Sequence, residues 1–172
     1  ERINDFVLQY LDRLLQKFQI VHQVGPKNFM EYQKVCAFLM EKFDEKLKKR
    51  YVPLPYIGGD IAKAYGAADV VIGRAGAGLI FETAAMGLPS ILVPLKDAAN
   101  DHQTANAYEY ERSGAAIVIE EENLLPNVVI GELERLLGNK AEMERMSASA
   151  KHFYHPGAAR TIAEDILGVI LK

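Results

Sequence analysis

Three short aliphatic runs, each followed by a helical pattern, constrain the fold more than any other feature of this sequence. Residues 69–73 read Asp-Val-Val-Ile-Gly, residues 90–94 read Ser-Ile-Leu-Val-Pro, and residues 115–119 contain Ile-Val-Ile. A strand that is apolar along its whole length is buried on both faces, which is typical of a parallel sheet covered by helices. The chain is therefore predicted to be an α/β protein with a doubly wound, Rossmann-like parallel sheet.

Helical and extended patterns alternate through the rest of the chain. Apolar residues at helical spacing predict one long helix over residues 3–18 and a second over residues 29–47. Extended segments are predicted at residues 19–24 and 51–57. Further helices are predicted over residues 60–68, 79–86, 101–113, 126–137, 141–153 and 157–171. Because the sequence contains no internal repeat and no low-complexity linker, a single domain spanning residues 1–172 is predicted.

Composition argues against several classes of partner and site. The 20 Lys and Arg are outnumbered by 23 Asp and Glu, so nucleic acid or an anionic membrane is not expected as the main partner. No apolar stretch approaches the ~20 residues of a membrane span. The single cysteine, Cys36, excludes an internal disulfide and is expected to be a small buried side chain. No Cys/His cluster has zinc-ligand spacing, and a cytosolic domain is expected.

The start of the chain is unusual for this class. A doubly wound domain commonly opens with a strand whose following loop binds a phosphate, whereas this chain opens on a helical pattern at Glu1. Either the sheet begins with the strand at residues 19–24, or a strand and its loop lie upstream. In the second case, the sheet edge beside the first helix should carry exposed apolar side chains.

A glycine-rich loop follows the strand at residues 69–73. In open parallel sheets, ligands bind beyond the carboxyl ends of the strands, where this loop reads Gly73-Arg-Ala-Gly-Ala-Gly78. Its glycines allow close approach of a ligand, and the helix that follows offers free N–H groups to an anion. The alternative is a tight strand-to-helix turn that binds no ligand. The glycine spacing matches neither a dinucleotide fingerprint nor a P-loop.

Two charged residues lie in or just after this loop, and each has two interpretations. Glu82 is either a solvated surface charge or the acceptor for ribose hydroxyls of a nucleotide whose phosphates sit at the helix start. Arg74 is either a surface charge in a salt bridge or a guanidinium beside a diphosphate.

A second polar loop follows the next strand and runs over residues 94–106. It delivers Asp101, His102, Gln103 and Asn106 onto the first turns of the next helix, although Asp101 or Asn100 could simply cap that helix. The clustering at one sheet edge favours a site shared with the glycine loop. No Ser or Cys nucleophile motif supports a hydrolase triad, and no Asp-x-Asp pair is present to hold a divalent metal.

Motifs at residues 68–77, 82–94, 101–107 and 114–119 together resemble the bacterial N-acetylglucosaminyltransferases of glycosyltransferase family 28. Residues 20–25 and 56–57 resemble the earlier strands of that family in the same order. The resemblance implies the C-terminal, donor-binding half of a two-domain GT-B enzyme. It also implies that the upstream strand, its Gly-Gly-Ser loop and the acceptor domain are absent from residues 1–172.

The resemblance further implies roles for matching positions. Glu82 corresponds to the ribose-binding glutamate, Ile57 lies beside the uracil, and Arg74 is the arginine of the glycine loop and a candidate stabiliser of the leaving group. His102 and Gln103 correspond to a pair near the sugar and the phosphates. The expected substrate-binding residues are Ile57, Arg74, Gly76, Ala77, Gly78, Leu79, Glu82, His102, Gln103 and Asn106.

The function implied is an inverting transfer of GlcNAc from UDP-GlcNAc to lipid I, which forms lipid II in peptidoglycan synthesis and serves cell-wall growth and division. No metal or other cofactor is expected, and the general base would come from the acceptor half, so this chain alone should bind donor without turnover. The full enzyme would be cytoplasmic and peripheral to the inner face of the plasma membrane, which it would contact through the missing half. The alternatives are a separate donor subunit of a two-piece glycosyltransferase and a non-catalytic nucleotide-sugar-binding module.

Overall fold

The structure is a computed structural model, and it describes residues 1–27, 29–96 and 101–170. The strands are β1 (Ile20–Gln23), β2 (Tyr51–Leu54), β3 (Val71–Gly73), β4 (Ser90–Leu92) and β5 (Ala116–Val118). The helices are α1 (Arg2–Gln9), α2 (Leu11–Lys17), α3 (Phe29–Met40), α4 (Glu45–Lys48), α5 (Ile61–Ala67), α6 (Ala77–Met86), α7 (His102–Arg112), α8 (Pro126–Leu137), α9 (Lys140–Phe153) and α10 (Ala158–Ile170). Short 3-10 turns occupy Gly58–Asp60 and Glu121–Asn123.

All strand pairs are parallel, as predicted, but the described strands form two sheets instead of one. β1 pairs with β2, with Ile20 opposite Tyr51. β4 lies between β3 and β5, with Ile91 opposite both Ile72 and Ile117. The α/β class with helices between parallel strands is confirmed. In the described ranges, no hydrogen-bonded ladder joins β1 to β3.

The two sheets nevertheless share one core. Ile20 of β1 and Ile72 of β3 both pack against the same apolar cluster. That cluster consists of Phe6, Leu14, Ile91, Ile119, Val129, Ile130, Leu133, Leu136 and Met146. A second cluster packs α6, α7 and α9 against β4 and β5, and a third packs α2 and α3 against the β1–β2 ladder. Cys36 is buried in the third cluster, as predicted.

The strands differ in burial more than the sequence predicts. Every residue of β4 is buried, whereas all three residues of β3 are only partly buried. In β5, Ala116 is buried and the next two residues are not. The prediction that all three aliphatic runs are fully buried is therefore wrong for β3 and β5, because each has a neighbouring strand on one side only. On the other ladder, the register partners Val21 and Val52 are 55% and 45% exposed.

Two predicted helices are interrupted. The helix expected over residues 3–18 breaks at Tyr10, where φ is -118° and ψ is 21°, although the apolar stripe continues across the break. The helix expected over residues 29–47 ends at Met40, and a new helix starts after Asp44, whose carboxylate accepts a hydrogen bond from the Leu47 amide at 2.8 Å. In both cases local backbone geometry outweighs periodicity, because an apolar stripe does not record a change in backbone angles. None of the helices described is long and apolar enough to cross a bilayer.

Candidate functional site

Side-chain hydrogen bonds connect neighbouring loops that leave the carboxyl ends of the strands. Gln23, the last residue of β1, accepts a hydrogen bond at 3.0 Å from the backbone N–H of Ile57, which follows β2. Gln103 accepts one from the Leu95 amide at 3.2 Å. Asn106 donates to the carbonyl oxygen of Ala75, in the glycine loop, at 3.4 Å. The glycine loop and the polar loop after β4 thus meet at one edge, as predicted.

The glycine loop presents the start of α6 to solvent. Gly73 lies close to Leu79, because a Cβ there would be 2.6 Å from Cδ2 of Leu79 and that side chain would have to shift. Gly76 is the N-cap and supplies no side-chain acceptor, so the amides of Ala77, Gly78 and Leu79 have no intrahelical acceptor and, among residues 1–27, 29–96 and 101–170, no side-chain cap. Ala77 and Gly78 are exposed. An uncapped, exposed helix start of this kind favours a bound anion.

Glu82 lies one turn further along α6 and is exposed, but its carboxylate is held in place. The buried Tyr65 of α5 donates a hydrogen bond from its phenol to Oε2 of Glu82 at 2.7 Å. Burial, together with the neighbouring Glu82 carboxylate, raises the pKa of Tyr65 well above its ordinary value. The phenol therefore keeps its proton at neutral pH and remains a hydrogen-bond donor.

Arg74 is engaged with protein groups on two neighbouring loops. Its Nη2 lies 2.5 Å from Oε1 of Glu121, and its Nη1 donates to the carbonyl oxygens of Val93 and Pro94 at 3.3 Å each. The side chains of Arg74 and Glu121 are only 27% and 22% exposed. Of the two roles considered for Arg74, the structure displays the salt bridge, and contact with a diphosphate stays a prediction.

His102 is the first residue of α7 and is exposed. Asp101, just before it, adopts the left-handed conformation with φ of 53°, which turns the chain into the helix. Residues 97–100 of this loop, including the alternative cap Asn100, lie outside the described residues. The predicted contact of His102 with a ligand stays a prediction.

The described residues of this edge are not arranged as a metal centre. Within residues 1–27, 29–96 and 101–170, no group of three or more His, Cys, Asp or Glu side chains could hold a metal ion. A shallow crevice of about 440 Å³ lies at the opposite edge, between α9 and the residues that precede β3 and β4. None of the predicted site residues lines that crevice.

Comparison with known proteins decides the family. The model of the glycosyltransferase family 28 C-terminal domain matches residues 1–162. The chain belongs to this family. The resemblance inferred from the motifs is therefore confirmed, and the elements described above are those of a family 28 C-terminal domain.

Two relatives of the family 28 domain match nearly the whole of this chain. The UDP-N-acetylglucosamine–N-acetylmuramyl-(pentapeptide) pyrophosphoryl-undecaprenol N-acetylglucosamine transferase of Acetivibrio thermocellus is 38% identical over 172 residues, covering 99% of this chain and 44% of its own length. The enzyme of the same name from Chlorobaculum parvum is 35% identical over 167 residues, covering 97% of this chain and 43% of its own length.

A solved structure supports the same assignment. The crystal structure of Acinetobacter baumannii MurG matches with a TM-score of 0.75 and 29% identity, over 97% of this chain and 46% of that chain. The family 28 chain thus spans less than half the length of the relatives it matches.

Three residues of the site were missed by sequence reasoning. Gln23, Tyr65 and Glu121 each bind a predicted site residue through a hydrogen bond or ion pair. Their partners lie 34, 17 and 47 positions away along the chain. Gln23 carries the one available signal, since it ends a predicted strand at the edge where ligands bind. Tyr65 and Glu121 carry none.

Proposed function

We propose that this chain is the donor-binding part of an inverting glycosyltransferase that transfers GlcNAc from UDP-GlcNAc to lipid I, forming lipid II. The names of the relatives support the donor and the reaction. The observation that carries the proposal is the pairing on α6 of an uncapped N-terminus with a fixed carboxylate one turn along. An anionic diphosphate fits the N-terminus of α6, and a ribose diol fits the Glu82 carboxylate.

In the proposed reaction, the acceptor hydroxyl attacks the anomeric carbon and UDP leaves with developing negative charge. The amides of Ala77, Gly78 and Leu79, with the positive end of the helix dipole, would stabilise that charge. Arg74 can stabilise the charge of the leaving group only if its guanidinium contacts both Glu121 and the diphosphate, or breaks its ion pair with Glu121. The general base would come from the acceptor domain, across a cleft that closes around the donor.

The remaining predicted contacts complete the donor site. Ile57 would lie beside the uracil, Gly76 would give the diphosphate close access to the helix start, and His102, Gln103 and Asn106 would face the sugar and the phosphates. Asn106 bonds to the glycine loop, and Tyr65, on the helix that follows the Ile57 loop, bonds to Glu82, which supports a single site. Leu79, packed over Gly73, would form its apolar wall.

The full-length protein would add what this chain lacks. We propose that a further strand, followed by a Gly-Gly-Ser loop, lies between β1 and β3, because both strands border one core without being paired to each other. The strand order would then be that of a doubly wound sheet. The acceptor domain would bind lipid I and hold the enzyme at the inner face of the plasma membrane.

The deciding experiment measures nucleotide binding to this chain by calorimetry. We expect binding of UDP-GlcNAc and UDP, weaker binding of UDP-glucose, and still weaker binding of GDP. Because a hydrogen bond to a charged group contributes roughly 1.5–3 kcal/mol, Glu82→Gln should weaken UDP binding about ten- to hundredfold.

Controls separate the site from general stability. Glu144→Gln changes an exposed glutamate at the opposite edge and should leave UDP affinity unchanged. Wild type should also bind 2′-deoxy-UDP more weakly than UDP, and Glu82→Gln should reduce that difference. Equal affinities of Glu82→Gln and wild type for both ligands would make Glu82 a surface charge and refute the site.

A further inference from the structure

Tyr65 connects the two parts of the proposed donor site. It lies on α5, which begins directly after the loop that carries Ile57, and its phenol reaches Glu82 on α6. The residue is only 8% exposed, so its ring is fixed between neighbouring elements, whereas Glu82 is exposed. A rigid donor therefore holds a carboxylate that would otherwise move freely in solvent.

We propose that Tyr65 is a positioning residue that orients the Glu82 carboxylate for the ribose hydroxyls of the donor. This inference rests on the proposed function, since it assumes that Glu82 accepts those hydroxyls. Tyr65 occupies one lone pair of Oε2 at 2.7 Å, which turns Oε1 away from the phenol and leaves it free to accept from the ligand.

The physical gain comes from conformational entropy. A free glutamate side chain has three rotatable bonds, and fixing it on ligand binding costs free energy that weakens the complex. Because Tyr65 fixes the carboxylate before the ligand arrives, that cost is met in the folded protein. The phenol also favours a single orientation of the Glu82 carboxylate. Rotation of Glu82 therefore cannot make up for a hydroxyl that the ligand lacks.

The phenol stays a donor throughout the range in which nucleotide binding is measured. Burial and the adjacent carboxylate both raise the pKa of Tyr65, so it does not lose its proton and repel Glu82. A structural role alone would need the aromatic ring but not its hydroxyl. Tyr65→Phe separates the two, because it keeps the ring and removes only the donor.

The test compares wild type, Tyr65→Phe, Glu82→Gln and the double variant by calorimetry with UDP and 2′-deoxy-UDP. Tyr65→Phe should weaken UDP binding about five- to tenfold and should reduce the discrimination against 2′-deoxy-UDP. In the Glu82→Gln background, Tyr65→Phe should have little further effect, because the carboxylate that it positions is gone.

A matched control removes another tyrosine–glutamate hydrogen bond. Tyr108 donates to Glu120 at 2.6 Å, and Tyr108→Phe should leave both affinities and their ratio unchanged. If wild type binds UDP and discriminates against the deoxy analogue, but Tyr65→Phe does the same, only the role of Tyr65 is refuted. If wild type binds no UDP, the proposed function fails and this inference fails with it.

Discussion

Arg74 forms an ion pair with Glu121, with Nη2 and Oε1 2.5 Å apart, and so connects the loop after β3 to the 3-10 turn after β5. The same guanidinium donates to two carbonyl oxygens at the end of β4. One side chain therefore holds the loops of three adjacent strands at the edge where the donor is proposed to bind. The pair is partly buried, so it should contribute more to stability than the exposed ion pairs of the chain.

The first prediction concerns this pair. Glu121→Gln should lower the free energy of unfolding by about 1–2 kcal/mol, because the partly buried guanidinium loses its counter-charge. Urea unfolding at neutral pH measures the change. Glu109→Gln removes the charge from the exposed ion pair with Arg112, and it should lower the free energy of unfolding by less than ~0.5 kcal/mol. Equal costs for the two variants would contradict a special role for Arg74.

His22 is at the centre of a buried polar network under the β1–β2 ladder. Its Nδ1 lies 3.0 Å from the hydroxyls of both Tyr32 and Tyr51, and its Nε2 lies 3.1 Å from Oδ1 of Asn4. The amide nitrogen of Asn4 donates to the carbonyl oxygen of Val24, so its Oδ1 accepts from Nε2–H. Because burial lowers its pKa, the ring is neutral, and Nδ1 then accepts a hydrogen bond from a tyrosine hydroxyl.

The second prediction follows from the neutral ring. Burial lowers the pKa of His22 from 6.5 to about 4. Between these values the unfolded chain binds a proton that the folded chain does not, so stability should fall as pH decreases from 6.5 to 4. The full loss should be roughly 3 kcal/mol. Urea unfolding at pH 7.5, 5.5 and 4.5 measures it.

Two variants identify the titrating group. His22→Gln should be less stable than wild type at pH 7.5, because a buried hydrogen-bonding partner is changed, but should lose less stability on acidification. His152→Gln, on α9, should retain the pH dependence of wild type. A wild-type slope in His22→Gln would assign the acid sensitivity to other groups.

Chain order alone predicted much of the fold and the meeting of two loops at one edge of the sheet. The glycine loop and the loop that carries Gln103 and Asn106 were expected at one edge because parallel strands end together, and the contact of Asn106 with Ala75 confirms it. Helix α6 also ends at Met86, as predicted, and Gly87 follows it in the left-handed conformation with φ of 66°. These features are local, or follow from strand direction.

Features that depend on how elements pack could not be predicted. Periodicity gave no sign of the break at Tyr10, since residues on both sides of it face the same core. The hydrogen bond from Tyr65 to Glu82 depends on the packing of α5 against α6, and the sequence between them does not record that packing. The pairing of Arg74 with Glu121 likewise depends on β4 lying between β3 and β5.

The third prediction tests the close approach at Gly73. Gly73→Ala places a Cβ 2.6 Å from Cδ2 of Leu79, so the leucine side chain must move. We expect a loss of about 1–2 kcal/mol in the free energy of unfolding and weaker UDP binding, because Leu79 is proposed to line the donor site. In a Leu79→Ala background, the same change should cost less than ~0.5 kcal/mol. A similar cost in both backgrounds would assign the effect of Gly73→Ala to the backbone.

The last prediction tests the proposed strand between β1 and β3. The amides of Ile20 and Val24 donate to the neighbouring β2 segment, and alternation along a strand then turns the amide of Val21 to the other side. In β3, the Val71 amide donates to Pro89, so the Ile72 amide also faces away from β4. Both free amides would face the proposed strand.

Hydrogen exchange distinguishes an open gap from a filled one. In this chain, the amides of Val21 and Ile72 should exchange much faster than that of Val71, which is hydrogen-bonded within its ladder. In the full-length protein, the added strand should protect Val21 and Ile72 together, since one parallel strand bonds to both edges, while Val71 should change little. Protection of only one of the two would mean that the added strand pairs with β1 or with β3 alone and does not join the two sheets. Unchanged exchange at both would mean that β1 and β3 have no strand between them, and the proposed doubly wound order would be wrong.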